Sequence, residues 1–209
     1  MIRSRRWRSV GLAACLTCLA LTVSASTTFA TFPGANGRIA FVAPGGIHTI
    51  RPDGSGNRLL VQGAGPSWSA DGKRIAYVGL VNNEDQIFTM RANGTDQRRL
   101  THSPRFDGSP AYSPSGGRIA FSRFNAADVV SHVVSIRSDG SDLRVLAKGG
   151  SPTYSPSGRR IAYLGPGTSS GPAIWVMRRS GSHKRQLSYP KPFQWDHSMD
   201  YSPNGKRII

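Results

Sequence analysis

The sequence predicts an all-β fold of the β-propeller type, with four four-stranded antiparallel blades, a truncated fifth and an incomplete ring. Three observations carry this expectation. First, the segments FPGANGRIAF, WSADGKRIAY, YSPSGGRIAF, YSPSGRRIAY and YSPNGKRII repeat one pattern. Each begins with an aromatic residue (Phe32, Trp68, Tyr112, Tyr154, Tyr201) and has isoleucine seven positions later (Ile39, Ile75, Ile119, Ile161, Ile208). The aromatics lie 36, 44, 42 and 47 residues apart, near the repeat of about 40–45 residues that a four-stranded blade requires. Second, each full unit contains another recurring segment: IHTIRPDGSGNRLL, IFTMRANGTDQRRL, VVSIRSDGSDLRVL and IWVMRRSGSHKRQL. In these Gly54, Gly94, Gly140 and Gly181 align, each followed six residues later by Leu60, Leu100, Leu146 or Leu187. Third, 24 glycines and 14 prolines in 209 residues, with 38% hydrophobic content, favour many short strands over long helices.

From the start of the chain, residues 1–30 read as a secretory signal peptide and stand apart from the fold. Arg3, Arg5, Arg6 and Arg8 form a basic start without an acid. Residues 10–23 are an apolar stretch of 14 residues, too short for a comfortable membrane span. Small residues then allow cleavage after Ala25 or Ala30. Both cysteines, Cys15 and Cys18, fall within the apolar stretch, so the mature chain has neither a disulfide framework nor a thiolate metal site. Cleavage also removes four arginines and no acids, taking the net charge from +16 to +12.

Residues 31–209 divide into blades near 32–62, 63–102, 107–148 and 150–189, with a partial unit at 196–209. In each, a short strand ends at the aromatic. A Ser-Pro-x-Gly type turn follows, because proline presets φ and glycine accepts φ > 0. The Arg-Ile-Ala-aromatic segment is the second strand. A variable loop leads to a third, such as 174–177. An Asp-Gly or Asn-Gly turn joins it to a fourth ending at leucine. The strands are apolar and β-branched with little strict alternation, as expected of sheets packed on both faces. The last unit stops in its second strand: either four blades plus a closing strand pair suffice or, the favoured reading, the chain is truncated or a fragment. An unpaired apolar edge at residues 207–209 is then expected.

The pattern aromatic-Ser-Pro-x-Gly-x-x-Ile-Ala-aromatic, followed by Ile-x-x-Met, Gly and Arg-x-Leu, resembles the TolB-like β-propeller repeat, a WD-like repeat, over residues 32–209. That family usually has aspartate before the turn glycine. Asp71 fits, whereas Ser115, Ser157 and Asn204 depart from it while keeping a turn former in place. The resemblance implies a binding or scaffolding role with a protein of the cell envelope. Such propellers also stand beside peptidase and lyase domains, so the alternative is the propeller portion of a larger enzyme whose catalytic domain lies outside this chain.

No catalytic, cofactor or metal residue is assigned. Residues 167–171 match the G-x-S-x-G nucleophile pattern, but a Gly/Ser/Pro-rich loop between strands offers Ser169 no helix to support it. His48, His102, His132, His183 and His197 show no metal-ligand spacing. Asn82-Asn83-Glu84-Asp85 lacks the alternating geometry of a calcium loop. Asn93-Gly94-Thr95 fits a glycosylation sequon but also the hairpin turn.

The arginines carry more information. Of the 18 outside residues 1–30, 13 occupy three repeated positions. Arg38, Arg74, Arg118, Arg160 and Arg207 precede the repeat isoleucine. Arg51, Arg91, Arg137 and Arg178 precede the turn glycine by three residues. Arg58, Arg98, Arg144 and Arg185 follow it by four. Either these arginines are solvated on the outer rim, or they form a basic band that binds phosphate or carboxylate bidentately. In the second case Arg51, Arg91, Arg137 and Arg178 are the candidate anion-binding residues. The expected partner is a protein or an anionic envelope polymer. Nucleic acid is disfavoured by the export signal and by the lack of a basic stripe with base-stacking aromatics. The expectation is therefore an exported, non-enzymatic scaffold in the cell envelope or outside it, with no stable membrane span once the signal is removed.

Overall fold

The computed structural model describes residues 37–125, 130–167, 171–189 and 199–209, and every regular element in them is a β-strand. The first sheet holds β1 (Ile39–Ala43), β2 (Gly46–Ile50) and β3 (Arg58–Val61). The strand expected to end at Phe32 lies outside the described residues. The second sheet runs β4 (Ala64–Trp68), β5 (Arg74–Val81), β6 (Glu84–Arg91), β7 (Arg98–Arg99). The third runs β8 (Phe106–Tyr112), β9 (Arg118–Asn125), β10 (Val130–Arg137), β11 (Arg144–Lys148). The fourth runs β12 (Gly150–Tyr154), β13 (Arg160–Pro166), β14 (Pro172–Arg178), β15 (Arg185–Gln186). All pairings are antiparallel between sequence neighbours. Beyond them, Tyr201 bridges Ile208, beginning a fifth unit.

Each sheet packs on the next, which explains the weak alternation in the strands. Along β5 the residues Ile75, Ala76 and Tyr77 are all buried. Ile75, Tyr77 and Met90 pack with Ile47 of the first sheet. Ala76, Ile87 and Leu100 pack with Tyr112, Ile119 and Phe121 of the third. The third and fourth sheets meet likewise through Ala120, Val133 and Leu146 against Tyr154, Ile161 and Tyr163. A fully buried aliphatic side chain of this kind contributes about 1.5–3 kcal/mol. The repeat isoleucine, fully buried at 75, 119 and 161, is thus a principal source of stability in the second, third and fourth blades, whereas Ile39 of the first is 53% exposed. Successive sheets are in contact from first to fourth.

Two turns recur. The first closes Ser69 to Arg74, with Gly72 at φ 66° and Asp71 accepting from the Ser69 hydroxyl and the Lys73 amide. Asn204 reproduces both bonds with Ser202 and Lys206, while Ser115 and Ser157 keep both in longer form, to Ser113 and Gly117 and to Ser155 and Arg159, at 3.2–3.5 Å. The second turn, between the third and fourth strands, is a three-residue loop closed by Arg91 and Thr95, with Gly94 at φ 88°. It recurs at Gly54, Gly140 and Gly181. A Cβ on Gly94 would also lie 3.3 Å from the Leu60 carbonyl of the preceding blade. The same glycine therefore serves the turn and the contact between blades.

The innermost strands share a feature the sequence pattern does not display. Pairing shifts register between Ala64 and Ser67, Gly108 and Ala111, and Gly150 and Thr153. The residue before proline in each bulge has positive φ: Gly65 55°, Ser109 49°, Ser151 49°. A bulge of this kind bends the strand.

Candidate functional site

The fold gathers the arginine series blade by blade. Arg74, Arg118 and Arg160 open the second strands; Arg91, Arg137 and Arg178 end the third; Arg98, Arg144 and Arg185 open the fourth. Antiparallel register sets Arg74 opposite Arg91, Arg118 opposite Arg137 and Arg160 opposite Arg178. Like charges facing one another across strands are destabilising, so each cluster calls for a counter-charge.

In the second and third blades one aspartate, two residues past the turn glycine, supplies it. Asp96 lies 2.9 Å from Arg74, 2.9 Å from Arg98 and 3.6 Å from Arg91. Asp142 lies 2.7 Å from Arg118, 2.8 Å from Arg144 and 3.6 Å from Arg137. Both take left-handed φ, 54° and 53°, a region aspartate enters more readily than most residues. The Arg74 and then the Arg98 hydrogen bond hold the Asp96 carboxyl down at about 2, and Arg144 and then Arg118 do the same for Asp142. The strand arginine also anchors inward, Arg74 donating to the Thr89 hydroxyl and Arg118 to that of Ser135.

The first and fourth blades lack this aspartate. Gly56 (φ 63°) and His183 (φ 54°) hold its left-handed position. In the first blade neutral acceptors take over. Arg38 donates to the Thr49 hydroxyl and to the carbonyls of Thr49 and Gly56, Arg51 to the Ser55 hydroxyl, and Arg58 to the Asn93 carbonyl. In the fourth blade Val176 stands where Thr89 and Ser135 stand, and Arg160 is exposed where Arg74 and Arg118 are half-buried.

The candidate anion-binding residues Arg51, Arg91, Arg137 and Arg178 thus each join the other arginines of their own blade. Arg91 and Arg137 already face a carboxylate, yet stay 66% and 59% exposed. Ser169 and His197 lie outside the described residues. His48 bonds Asn57 and the Pro44 carbonyl, and no group of three metal-ligating side chains occurs among the described residues. Asn82 and Asn83, at φ 50° and 64°, are the tight hairpin between β5 and β6, whose first residues are Glu84 and Asp85. Asn93 accepts from the amide and hydroxyl of Thr95, holding the Gly94 turn.

Four successive antiparallel sheets with a fixed intra-blade arrangement agree with a match of the TolB beta propeller domain model to residues 38–209. The chain belongs to the TolB β-propeller family. It is 36% identical over 76 residues to Dipeptidyl-peptidase 5 of Porphyromonas endodontalis, covering 34% of this chain and 11% of that protein. Its fold is similar to TolB from Acinetobacter baumannii, with TM-score 0.69 and 19% identity over 82% of this chain and 45% of that one. A putative TolB from Agrobacterium tumefaciens gives 0.65 and 22% over 80% and 66%. The chain therefore spans about a tenth of the peptidase and less than half of the Acinetobacter TolB.

Against the TolB-type repeat, two features escape a sequence reading. Asp96 and Asp142 are visible only as the acid two places after the turn glycine, in two units of four. The other is a buried pair in the third blade. Arg123 donates to both carboxylate oxygens of Asp107 at 2.7 and 2.8 Å, with 8% and 0% side-chain exposure, and lies 5.3 Å over the Phe121 ring. The second and fourth blades have glycine at both equivalent places, Gly63 with Gly79 and Gly149 with Gly165. Nothing in the repeat marks this exchange beforehand.

Proposed function

We propose that the chain is an exported, non-enzymatic propeller scaffold that binds a protein or another component of the cell envelope. The observation that carries this reading is membership of the TolB β-propeller family over residues 38–209, combined with the signal-like residues 1–30. Specificity then belongs to the loops and blade ends rather than to the buried strands. The exposed arginines favour an acidic partner, and no nucleic-acid role is assigned. No helix among the described residues is long and apolar enough to cross a membrane. The test is crosslinking in intact producing cells, followed by competition with excess purified chain. A specific partner displaced by the competitor supports the reading. Hydrolysis of ester or peptide substrates by purified chain, lost on Ser169→Ala, overturns it.

A second reading has one specific observation in its favour. The match to Dipeptidyl-peptidase 5 fits a propeller that accompanies a peptidase domain. Reading the gene beyond codon 209 separates the two. A downstream nucleophile-elbow domain favours the peptidase, and its absence favours the scaffold.

A further inference from the structure

The fourth blade keeps the three arginines of its neighbours and loses both side-chain groups that satisfy them, the aspartate carboxylate and the hydroxyl. Arg160 faces Arg178 across β13 and β14, and Arg185 pairs beside Val176. Among the described residues none of the three guanidiniums has a carboxylate within ion-pair distance, and none donates a hydrogen bond. His183 replaces the aspartate and Val176 replaces the hydroxyl.

A second observation comes from the aromatic that opens the next unit. Tyr112 bonds the Thr89 hydroxyl at 2.9 Å, and the Ser135 hydroxyl beside Tyr154 pulls that phenol down against the upward push of burial. Tyr201 is the equivalent residue over the fourth blade and lines one cleft with Val176. It is 6% exposed, and its hydroxyl has no partner. Burial pushes that phenol up while the charge of Arg160 pulls it back. Tyr201, Arg160, Val176 and Arg185 line one cleft of about 370 Å³. Arg160, Val176 and Arg185 also line an adjoining cleft of about 440 Å³ that reaches Arg178 and His183.

We infer that Arg160, Arg178, Arg185 and the Tyr201 hydroxyl form a site for a carboxylate supplied from outside the blade. The neighbouring blades show what the geometry accepts, because there the same three arginine positions close on an aspartate carboxylate at 2.7–3.6 Å. The buried phenol adds a neutral donor, which suits an oxyanion and costs free energy when left unused. The inference deepens the scaffold reading and rests on it for the identity of the partner, since an acidic side chain of a bound protein is the natural occupant. The site itself rests on the fourth blade alone.

The test is titration of purified chain at constant ionic strength, followed by NMR, with chloride as the control. The probes are a capped aspartyl tripeptide, glucuronate and inorganic phosphate. Saturable single-site binding of a carboxylate probe is expected, with a dissociation constant on the order of 1 mM. His183→Asp should restore the internal carboxylate, raise the unfolding midpoint and weaken the probe at least about tenfold. Tyr201→Phe should also weaken the probe without lowering the midpoint, because it removes an unpartnered hydroxyl; a purely structural tyrosine would not move the affinity. Tighter binding of the tripeptide points to a protein source, and tighter glucuronate points to a polymer. Binding no better than chloride, preference for phosphate, or equal affinity in the His183→Asp form overturns the site. None of these results bears on crosslinking in cells, so the site and the scaffold reading fail separately.

Discussion

Removing Asp107 tests whether the third blade is held by its buried ion pair. Asp107 is fully buried and accepts two hydrogen bonds from Arg123, itself 8% exposed. In the Asp107→Ala form the guanidinium keeps its place over Phe121 but loses its counter-ion in a site closed to water. An uncompensated buried charge of this kind costs about 3–5 kcal/mol. For a domain of this size each kcal/mol lowers the melting midpoint by about 2–4 °C, so a fall of about 6–20 °C is expected. Adding Arg123→Met removes the stranded charge and leaves an apolar chain to cover the Phe121 ring. Replacing a buried pair by apolar groups is often close to neutral, so the double form should recover most of the loss. Urea unfolding of the four proteins of the cycle measures the coupling directly. The reasoning fails if Asp107→Ala costs less than about 1 kcal/mol, or if the double form is no more stable than the single one.

Other outcomes follow from the same geometry. Gly94→Val and Gly140→Val should each destabilise a blade, because φ near 90° is costly for a β-branched residue and a Cβ meets the preceding leucine at 3.3–3.6 Å; thermal melts of the two variants check this. The carboxyls of Asp96 and Asp142 are held near 2 by their arginines, below the ordinary 3.8. Their contribution is therefore fully present above about pH 4 and is lost as the pH falls through about 2. Acid unfolding curves should flatten over that window in the Asp96→Asn, Asp142→Asn double form, and an unchanged curve would count against the two aspartates. If residues 1–30 direct export, N-terminal sequencing of secreted material should begin near Ser26 or Thr31, whereas an intact Met1 on soluble cytosolic protein would defeat that expectation.

The blade architecture was legible because it rests on local chemistry. Glycine at a turn, isoleucine on a doubly covered strand and an aromatic at a strand end each leave the same trace every time they recur. Buried Ile75, Ile119 and Ile161 are such traces. The arginine positions were equally visible, but their partners were not. Convergence of Arg74, Arg91 and Arg98 on Asp96 depends on the left-handed φ at Asp96 and on the register of three strands. Neither is written in a run of neighbouring residues. The bulges at Gly65, Ser109 and Ser151 escaped for a similar reason, since a residue before proline normally reads as extended.

Where the units differ, the differences are coupled, and this gives them meaning. Gly63 and Gly79 become Asp107 and Arg123 together, as two halves of one buried contact. In the fourth blade the aspartate and the hydroxyl are lost together, at His183 and Val176, yet the three arginines stay. Random loss of repeat character has no reason to spare charges that repel one another. Without a counter-ion, Arg160 opposite Arg178 is a standing destabilisation, and a stability-driven drift would remove it first. The first blade shows the stable alternative: with glycine at 56 its arginines turn to hydroxyls and carbonyls nearby. The fourth blade has not taken that route, for Val176 denies Arg160 the hydroxyl that Thr49 gives Arg38 and leaves the Tyr201 phenol idle as well. Three cations and one buried donor around two adjoining clefts are a costly arrangement for a blade by itself, and the cost is offset when a carboxylate enters from outside.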